Sequence, residues 1–261
     1  MRIDHKRAEV KNVKKDFMVE SYGISDVGLV RSNNEDVWAE LPDLRFFALA
    51  DGMGGHKAGE VAAAETVKRL CSLISELSKK SADTEERAKK LKEAIEQVNK
   101  EVYLLSLKNE QYAGMGTTLV CFQQVSDQLI IAHVGDSRIY RFRKKTLTQL
   151  TKDHSLRQEL LFKGDLSAAS PFFAFKNIVT RAMGTHSQVQ PEVDILQIQP
   201  DDIYFLCSDG LTDELSFEKI KSIVTGAKTI KEASDNLVAA AKAHGGSDNI
   251  TIVMVKVLTP K

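Results

Sequence analysis

"TTLVCFQQVSDQLIIAHVGDSRIYRFR", Thr117 to Arg143, decides the fold. It holds three extended apolar runs, "TTLVCFQQ", "QLIIAHVG" and "SRIYRFR", separated only by short polar breaks. Such breaks suit turns and leave no room for a crossover helix, so the three strands are expected to form an antiparallel meander.

Upstream, Phe17 to Leu41 reads as two extended segments around the polar turn "SDVG", followed by the irregular "RSNNED". Phe46 to Ala50, "FFALA", is a continuous apolar run too short for a helix. From Gly59 onward, Val67, Leu70, Cys71, Ile74 and Leu77 share one face of a helix. A second helix spans Thr84 to Leu107, with Leu91, Ile95, Val98, Val102 and Leu105 on its apolar side and Glu85/Lys89 and Glu86/Lys90 as i,i+4 pairs. Downstream, Asp153 to Lys163 reads as helical and Gly164 to Phe175 as an irregular excursion. "KNIVTRAM", "EVDILQI" and "DIYFLCS" read as strands, two helices follow near Phe217 to Val224 and Ile230 to His244, and "NITIVMVKV" closes the chain as a strand. Short turns between most strands predict an α+β fold of two packed antiparallel sheets covered by helices.

With 261 residues, the chain is long enough for a sizeable core, and one large domain is expected. Lysine plus arginine balance aspartate plus glutamate at 36 each, which argues against recruitment of nucleic acid or an anionic membrane. No stretch offers the roughly 18 apolar residues of a membrane span, and no apolar leader precedes the first strand, so a cytoplasmic location is expected. The first eighteen residues carry Arg2, Lys6, Arg7, Lys11, Lys14 and Lys15 and read as a basic arm. Cys71, Cys121 and Cys207 lie far apart in apolar runs, without the spacing of a zinc or redox site, and are read as buried free thiols.

The chemistry sits where apolar runs meet carboxylates. "FFALA" ends at Asp51, "LIIAHV" at Gly135-Asp136 and "IYFLC" at Ser208-Asp209, while Asp248 stands just before the final strand. One such aspartate is usually a turn former or helix cap. Four at strand ends that a sandwich brings together repel one another and need protons or a cation. With oxygen ligands and no cysteine or histidine pair at ligand spacing, Mg²⁺ or Mn²⁺ is favoured over Zn²⁺. A carboxylate bridging two such ions about 3.5–4 Å apart suits in-line displacement at phosphorus. In "LVRSNNEDVW", Arg31 can clamp phosphate oxygens, and Glu35 and Asp36 add carboxylates. "GGHKAGEV" lacks the Lys-Ser/Thr of a nucleotide-binding phosphate loop, so the glycines are read as letting the Gly52 carbonyl approach a metal.

Taken in order, "SDVGLVRSNNED", "DGMGGHKAGE", "GMGTT", "HVGDSRIYR", "LTKDHSL", "NIVTRAMG", "LCSDGLTDEL" and "GGSDNITIV" resemble the motifs of the metal-dependent protein phosphatases, the type 2C serine/threonine class, in its compact bacterial form. The resemblance runs from about Tyr22 to Val257. It implies a central antiparallel β-sandwich flanked by helix pairs (α-β-β-α layers), spanning 18–258 as a single phosphatase domain after an arm at 1–17, with a flap near 155–176. It implies Asp51 as the bridging ligand of two Mn²⁺ or Mg²⁺ ions, Asp209 and Asp248 completing the first, and Gly52 helping to hold the second. Asp136 would hold a third, weaker ion with Asp209. Arg31 matches the phosphate clamp, and Glu35 and Asp36 match the acidic pair near the second ion's waters.

The implied activity is hydrolysis of phosphoserine and phosphothreonine in proteins by a metal-bridging hydroxide, opposing a serine/threonine kinase, in a monomer. A catalytically dead phosphoprotein-binding scaffold and a hydrolase of small phosphoesters are the alternatives. The chain departs from the family pattern in two places, after Asp51-Gly52 and in the flap. Met53 replaces a histidine proposed in some relatives as the leaving-group acid, so His56 either supplies that proton or only orients the loop. Phe172, Phe173 and Phe175 stand where bacterial relatives carry His-Pro, and either pack the flap down or alter substrate contact.

Overall fold

The computed structural model describes residues 17–53, 57–77, 83–163 and 178–258. Its elements are β1 (Val19–Asp26), β2 (Asp36–Leu41), β3 (Phe46–Met53), α1 (Lys57–Leu77), α2 (Thr84–Lys108), β4 (Gly116–Thr117), β5 (Leu119–Val125), β6 (Gln128–Val134), β7 (Arg138–Arg143), β8 (Thr146–Gln149), α3 (Leu156–Lys163), β9 (Glu192–Gln197), β10 (Ile203–Cys207), α4 (Asp209–Thr212), α5 (Phe217–Gly226), α6 (Ile230–His244) and β11 (Ile250–Val257). One sheet has the order β1-β11-β10-β7-β8 and the other β2-β3-β5-β6-β9, with β4 paired to β3. Every pairing between these strands is antiparallel.

Period-two alternation assigns each side chain to a layer. Along β3, Phe47 and Leu49 face the other sheet and pack with Val120, Phe122, Leu206 and Val253. Phe46 and Ala48 face outward onto Leu70 of α1 and Leu91 and Ile95 of α2. On the opposite side, Phe205, Cys207 and Ile252 pack beneath Ile220 of α5 and Leu237 of α6. The layers are therefore α-β-β-α, as expected. Both faces of β3 and β11 are buried, which is why "FFALA" and "ITIVMV" read as continuous apolar runs.

Some sequence expectations need correction. The meander from β5 to β7 is split: β6 pairs with β5 and β9, whereas β7 pairs with β10 and β8 in the facing sheet. The chain changes sheets at Gly135, whose φ of 104° a side chain rarely adopts and where a Cβ would come within 2.7 Å of Thr118. "KNIVTRAM" forms no strand among its described residues. Its polar backbone is met instead by single bridges, Ser155 to Val179 and Thr117 to Met183. Lys89 lies 3.8 Å from Glu93 rather than pairing with Glu85, while Lys90 and Glu86 do pair. Cys121 and Cys207 are buried free thiols, but Cys71 is only half-buried at the α1 surface. Residues 1–16 of the basic arm, 164–177 of the flap with its phenylalanines, and His56 lie outside the described residues.

Leu49 is fully buried where both sheets meet. Leu49→Ala should destabilise the fold by about 2–5 kcal/mol, read as a lower denaturation midpoint with an unchanged denaturant slope.

Candidate metal centre

The alternation that fills the inter-sheet core turns polar at one end of the sandwich. On β3 the inward series Phe47, Leu49 continues to Asp51, and on β2 Trp38 is followed by Asp36, the register partner of Asp51. In the facing sheet Leu206 gives way to Ser208, and Val253 to Thr251. Ser208 Oγ donates to Asp36 Oδ2 at 2.8 Å and accepts the Thr251 amide at 3.0 Å. Asp51 is clamped by its own main chain: its amide donates to Thr118 Oγ1 at 3.0 Å, and its carbonyl accepts Thr118 N at 2.8 Å and Thr117 Oγ1 at 2.7 Å. Thr118 Oγ1 also shares a 2.7 Å hydrogen bond with Ser137 Oγ, beside Asp136.

A cleft of about 270 Å³ gathers Arg31, Glu35, Asp51, Gly52, Asp136, Asp209 and Asp248 in its walls, with Met53, Thr118, Val179 and Asn249. Asp36 is buried close behind it. Asp51 lies within β3 rather than at its end, because Gly52 and Met53 continue the strand by pairing with β4. Asp209 opens α4, and Asp136 and Asp248 sit in the turns after β6 and before β11. Gly52 is bare for a reason beyond its carbonyl: its amide donates to Glu35 O at 3.1 Å, and a Cβ there would run into the Gly59 backbone. Arg31 Nη2 donates to Asp248 Oδ2 at 2.7 Å while the side chain stays half exposed.

Asn249, unremarked in the sequence, ties these pieces together. Its Oδ1 accepts the Glu35 amide at 2.8 Å, its Nδ2 donates to Val27 O and Asn33 O at 3.0 and 2.9 Å, and its amide donates to Asp248 Oδ1 at 2.8 Å. The loop carrying Arg31 is thereby pinned to the turn carrying Asp248. Thr118, Ser208 and Asn249 look like ordinary strand and turn residues in sequence, and only the "TT", "SDG" and "SDN" neighbourhoods of the aspartates could have flagged them.

Electrostatics sets what the cleft can bind. Burial, reinforced by the charges of Asp36, Asp209, Asp248 and Asp136, drives the Asp51 carboxyl well above the usual carboxylate range. Burial, then Asp136, Asp213 and Asp248, push Asp209 up to about 7. Burial and Asp153 raise Asp136 to about 6, and burial is the main cause raising Asp36 to about 6. Asp36 Oδ1 is buried without a hydrogen-bond partner among the described residues. An all-oxygen donor set, an orphaned carboxylate oxygen and mutually repelling charges fit a hard divalent cation.

A second cluster brings ligand atoms of His133, His154 and Glu192 within 4.8 Å of one another. Its hydrogen bonds favour a brace over a metal site. Gly135 N donates to His154 Nδ1 at 3.1 Å, so the ring proton is placed on Nε2, which donates to Glu192 Oε1 at 3.1 Å. Neither nitrogen keeps a lone pair for a cation. Burial, with His133 alongside, lowers His154 to about 4, so the ring is neutral near pH 7 and holds the Gly135–Asp136 turn.

Comparison with known proteins agrees with this geometry. Residues 30–242 match the family model described as Protein phosphatase 2C. The chain is 37% identical over 236 residues to the serine/threonine phosphatase stp of Listeria monocytogenes, covering 89% of this chain and 93% of that one. The solved structure of the serine/threonine phosphatase Stp1 from Staphylococcus aureus superposes with a TM-score of 0.85 at 32% identity, covering 96% of this chain and all of that one (100%). The catalytic domain of the serine threonine protein phosphatase PstP in complex with 2 manganese ions gives 0.81 at 34% identity, covering 93% and 100%.

A carboxylate whose pKa is raised by folding contributes stability that is present below its unfolded value, about 4, and lost as pH climbs through its folded value. For Asp209 that loss is complete above about 7. In chelator, Asp209→Asn should therefore melt higher than the wild type, by a margin that grows between about pH 5 and pH 8. A margin that shrinks over that interval would contradict the electrostatic account.

Proposed function

Because the chain belongs to the protein phosphatase 2C family, we propose that this cleft is the active site of a metal-dependent serine/threonine protein phosphatase whose substrates are phosphoproteins. The observation that carries the reading is the convergence of Asp51, Asp209 and Asp248 with Arg31 on one cleft. Asp51, Asp209, Asp248 and the Gly52 carbonyl would hold the two ions, with Asp51 the best placed to serve both. Glu35 and Asp36 would accept hydrogen bonds from water on the ions. Mn²⁺ or Mg²⁺ suits this donor set, and the manganese complex of PstP supports the former. A neighbouring cleft of about 220 Å³, walled by Asp136, Asp209 and Asp213, supports a third ion there. When bound, such ions lower the pKa of an attacking water and offset charge on phosphoryl oxygens.

The protein's own groups supply position and charge. Arg31 holds phosphate oxygens through its exposed donors, while its bond to Asp248 keeps the guanidinium over the cleft. Thr118 and Ser208 fix Asp51 and Asp36 through hydroxyl bonds, so the carboxylates need little reorganisation during the reaction. Met53 has no proton to give, which leaves His56 or water to protonate the leaving alkoxide.

Residues 18–258 are read as one catalytic domain. An opposing serine/threonine kinase and a cytoplasmic location complete the proposal. The free cysteines support a reducing compartment, and no described helix is long and apolar enough to cross a membrane. An intact acidic set argues against a dead scaffold.

Phosphate release from a phosphothreonine peptide should require Mn²⁺ or Mg²⁺ and be abolished by chelator and by Asp209→Asn. Activity that persists in chelator would sink the proposal. Arg31→Ala should keep metal binding and lower kcat/KM by about 10–100-fold, the cost of a charge-assisted hydrogen bond. The loss should fall mainly on KM.

A further inference from the structure

We propose that Glu214 is a positioning residue for the metal centre, acting as a clamp that locks the turn carrying Asp248 onto the segment carrying Asp209. The proposal rests on the metal-centre reading above. It concerns a residue that touches neither the cleft nor, directly, any carboxylate in it.

The segment after Asp209 is rigid. Asp213 N donates to Asp209 O at 2.8 Å and Leu215 N to Leu211 O at 3.0 Å, while Leu211 and Leu215 are anchored in the core. Glu214 is therefore fixed five residues beyond Asp209. From there its Oε1 accepts two hydrogen bonds from one residue, Ser247 N at 2.9 Å and Ser247 Oγ at 2.6 Å. Ser247 immediately precedes Asp248.

That turn has no regular structure of its own. α6 stops where Gly245 N returns to Lys242 O and Gly246 N to Ala241 O, a glycine-terminated helix end. Gly245 (φ 149°) and Gly246 (φ 55°) then carry the chain through conformations that other residues rarely adopt. A Cβ on Gly245 would lie 2.8 Å from Glu214 Oε2, so the bare backbone here also makes room for the carboxylate. The far side is held by Leu29 N donating to Gly246 O at 2.7 Å. Two adjacent glycines give the turn freedom, and Glu214 removes it one residue before Asp248. Asp209 and Asp248 would meet one ion from different elements, so any drift between them would fall directly on the geometry of the donors.

The test is Mn²⁺ titration calorimetry on the full chain, with thermal melts in chelator alongside. Glu214→Ala should weaken Mn²⁺ binding by about tenfold, the low end of the range for groups bonded to a ligand itself, because Glu214 acts through Ser247 one residue away from Asp248. Its chelator melting temperature should stay close to that of the wild type. Glu214→Gln keeps the Oε1 acceptor and should bind nearly as the wild type does. Unchanged affinity in Glu214→Ala would overturn the clamp. So would a Glu214→Gln affinity as weak as that of Glu214→Ala, since charge rather than positioning would then be acting. Should Glu214→Ala not fold, Ser247→Ala, which removes only the shorter bond, should show a smaller loss, and unchanged affinity there would overturn the clamp as well. A wild-type chain that binds no Mn²⁺ overturns the metal-centre reading itself, an outcome distinct from wild-type binding that Glu214→Ala leaves intact.

Discussion

Mutual repulsion among Asp36, Asp51, Asp136, Asp209 and Asp248, gathered in and just behind one partly buried cleft, is the constraint around which this fold is arranged. No chain gathers such charges without protons or cations to offset them. The cost is borne by the sandwich, whose three apolar layers hold the strand ends rigidly enough to keep the carboxylates close. Burial raises the pKa values of Asp36, Asp51, Asp136 and Asp209, and the same burial strengthens the attraction for a divalent ion.

The site is an extension of the core rather than an addition to it. The inward parity that places Leu49, Trp38, Leu206 and Val253 between the sheets delivers Asp51, Asp36, Ser208 and Thr251 one step further along. Loops then add what strands cannot. Arg31 and Glu35 come from the β1–β2 loop, and Asn249 joins that loop to the Asp248 turn. The proposed phosphate clamp, Arg31, and the proposed metal ligand, Asp248, thus sit on one hydrogen-bonded unit, linked again by the Arg31–Asp248 contact.

Much of this was legible in the sequence because buried strands announce themselves as apolar runs and a carboxylate at the end of one is conspicuous. The four aspartates and the layered α+β fold followed from that contrast, whereas Arg31 was read from the irregular loop "LVRSNNEDVW". The change of sheet between β6 and β7 did not, since a short polar break looks the same whether it closes a hairpin or crosses a sandwich. Only the strand pairings, β6 with β9 and β7 with β10, separate the two cases. "KNIVTRAM" carried strand-like apolar residues but spends its hydrogen bonds on single bridges. Ser208, Thr118, Asn249 and Glu214 were invisible as site residues because a hydroxyl, an amide or a surface glutamate acquires its role from a partner far away in the chain.

The central claim is that the clustered aspartates hold divalent cations. Crystals grown with Mn²⁺, with anomalous diffraction data collected near the manganese absorption edge, test it most directly. The account predicts anomalous peaks in the cleft between the carboxylates of Asp51, Asp209 and Asp248 and the Gly52 carbonyl. A cleft without such peaks at saturating Mn²⁺, or peaks confined to His133, His154 and Glu192, would contradict it.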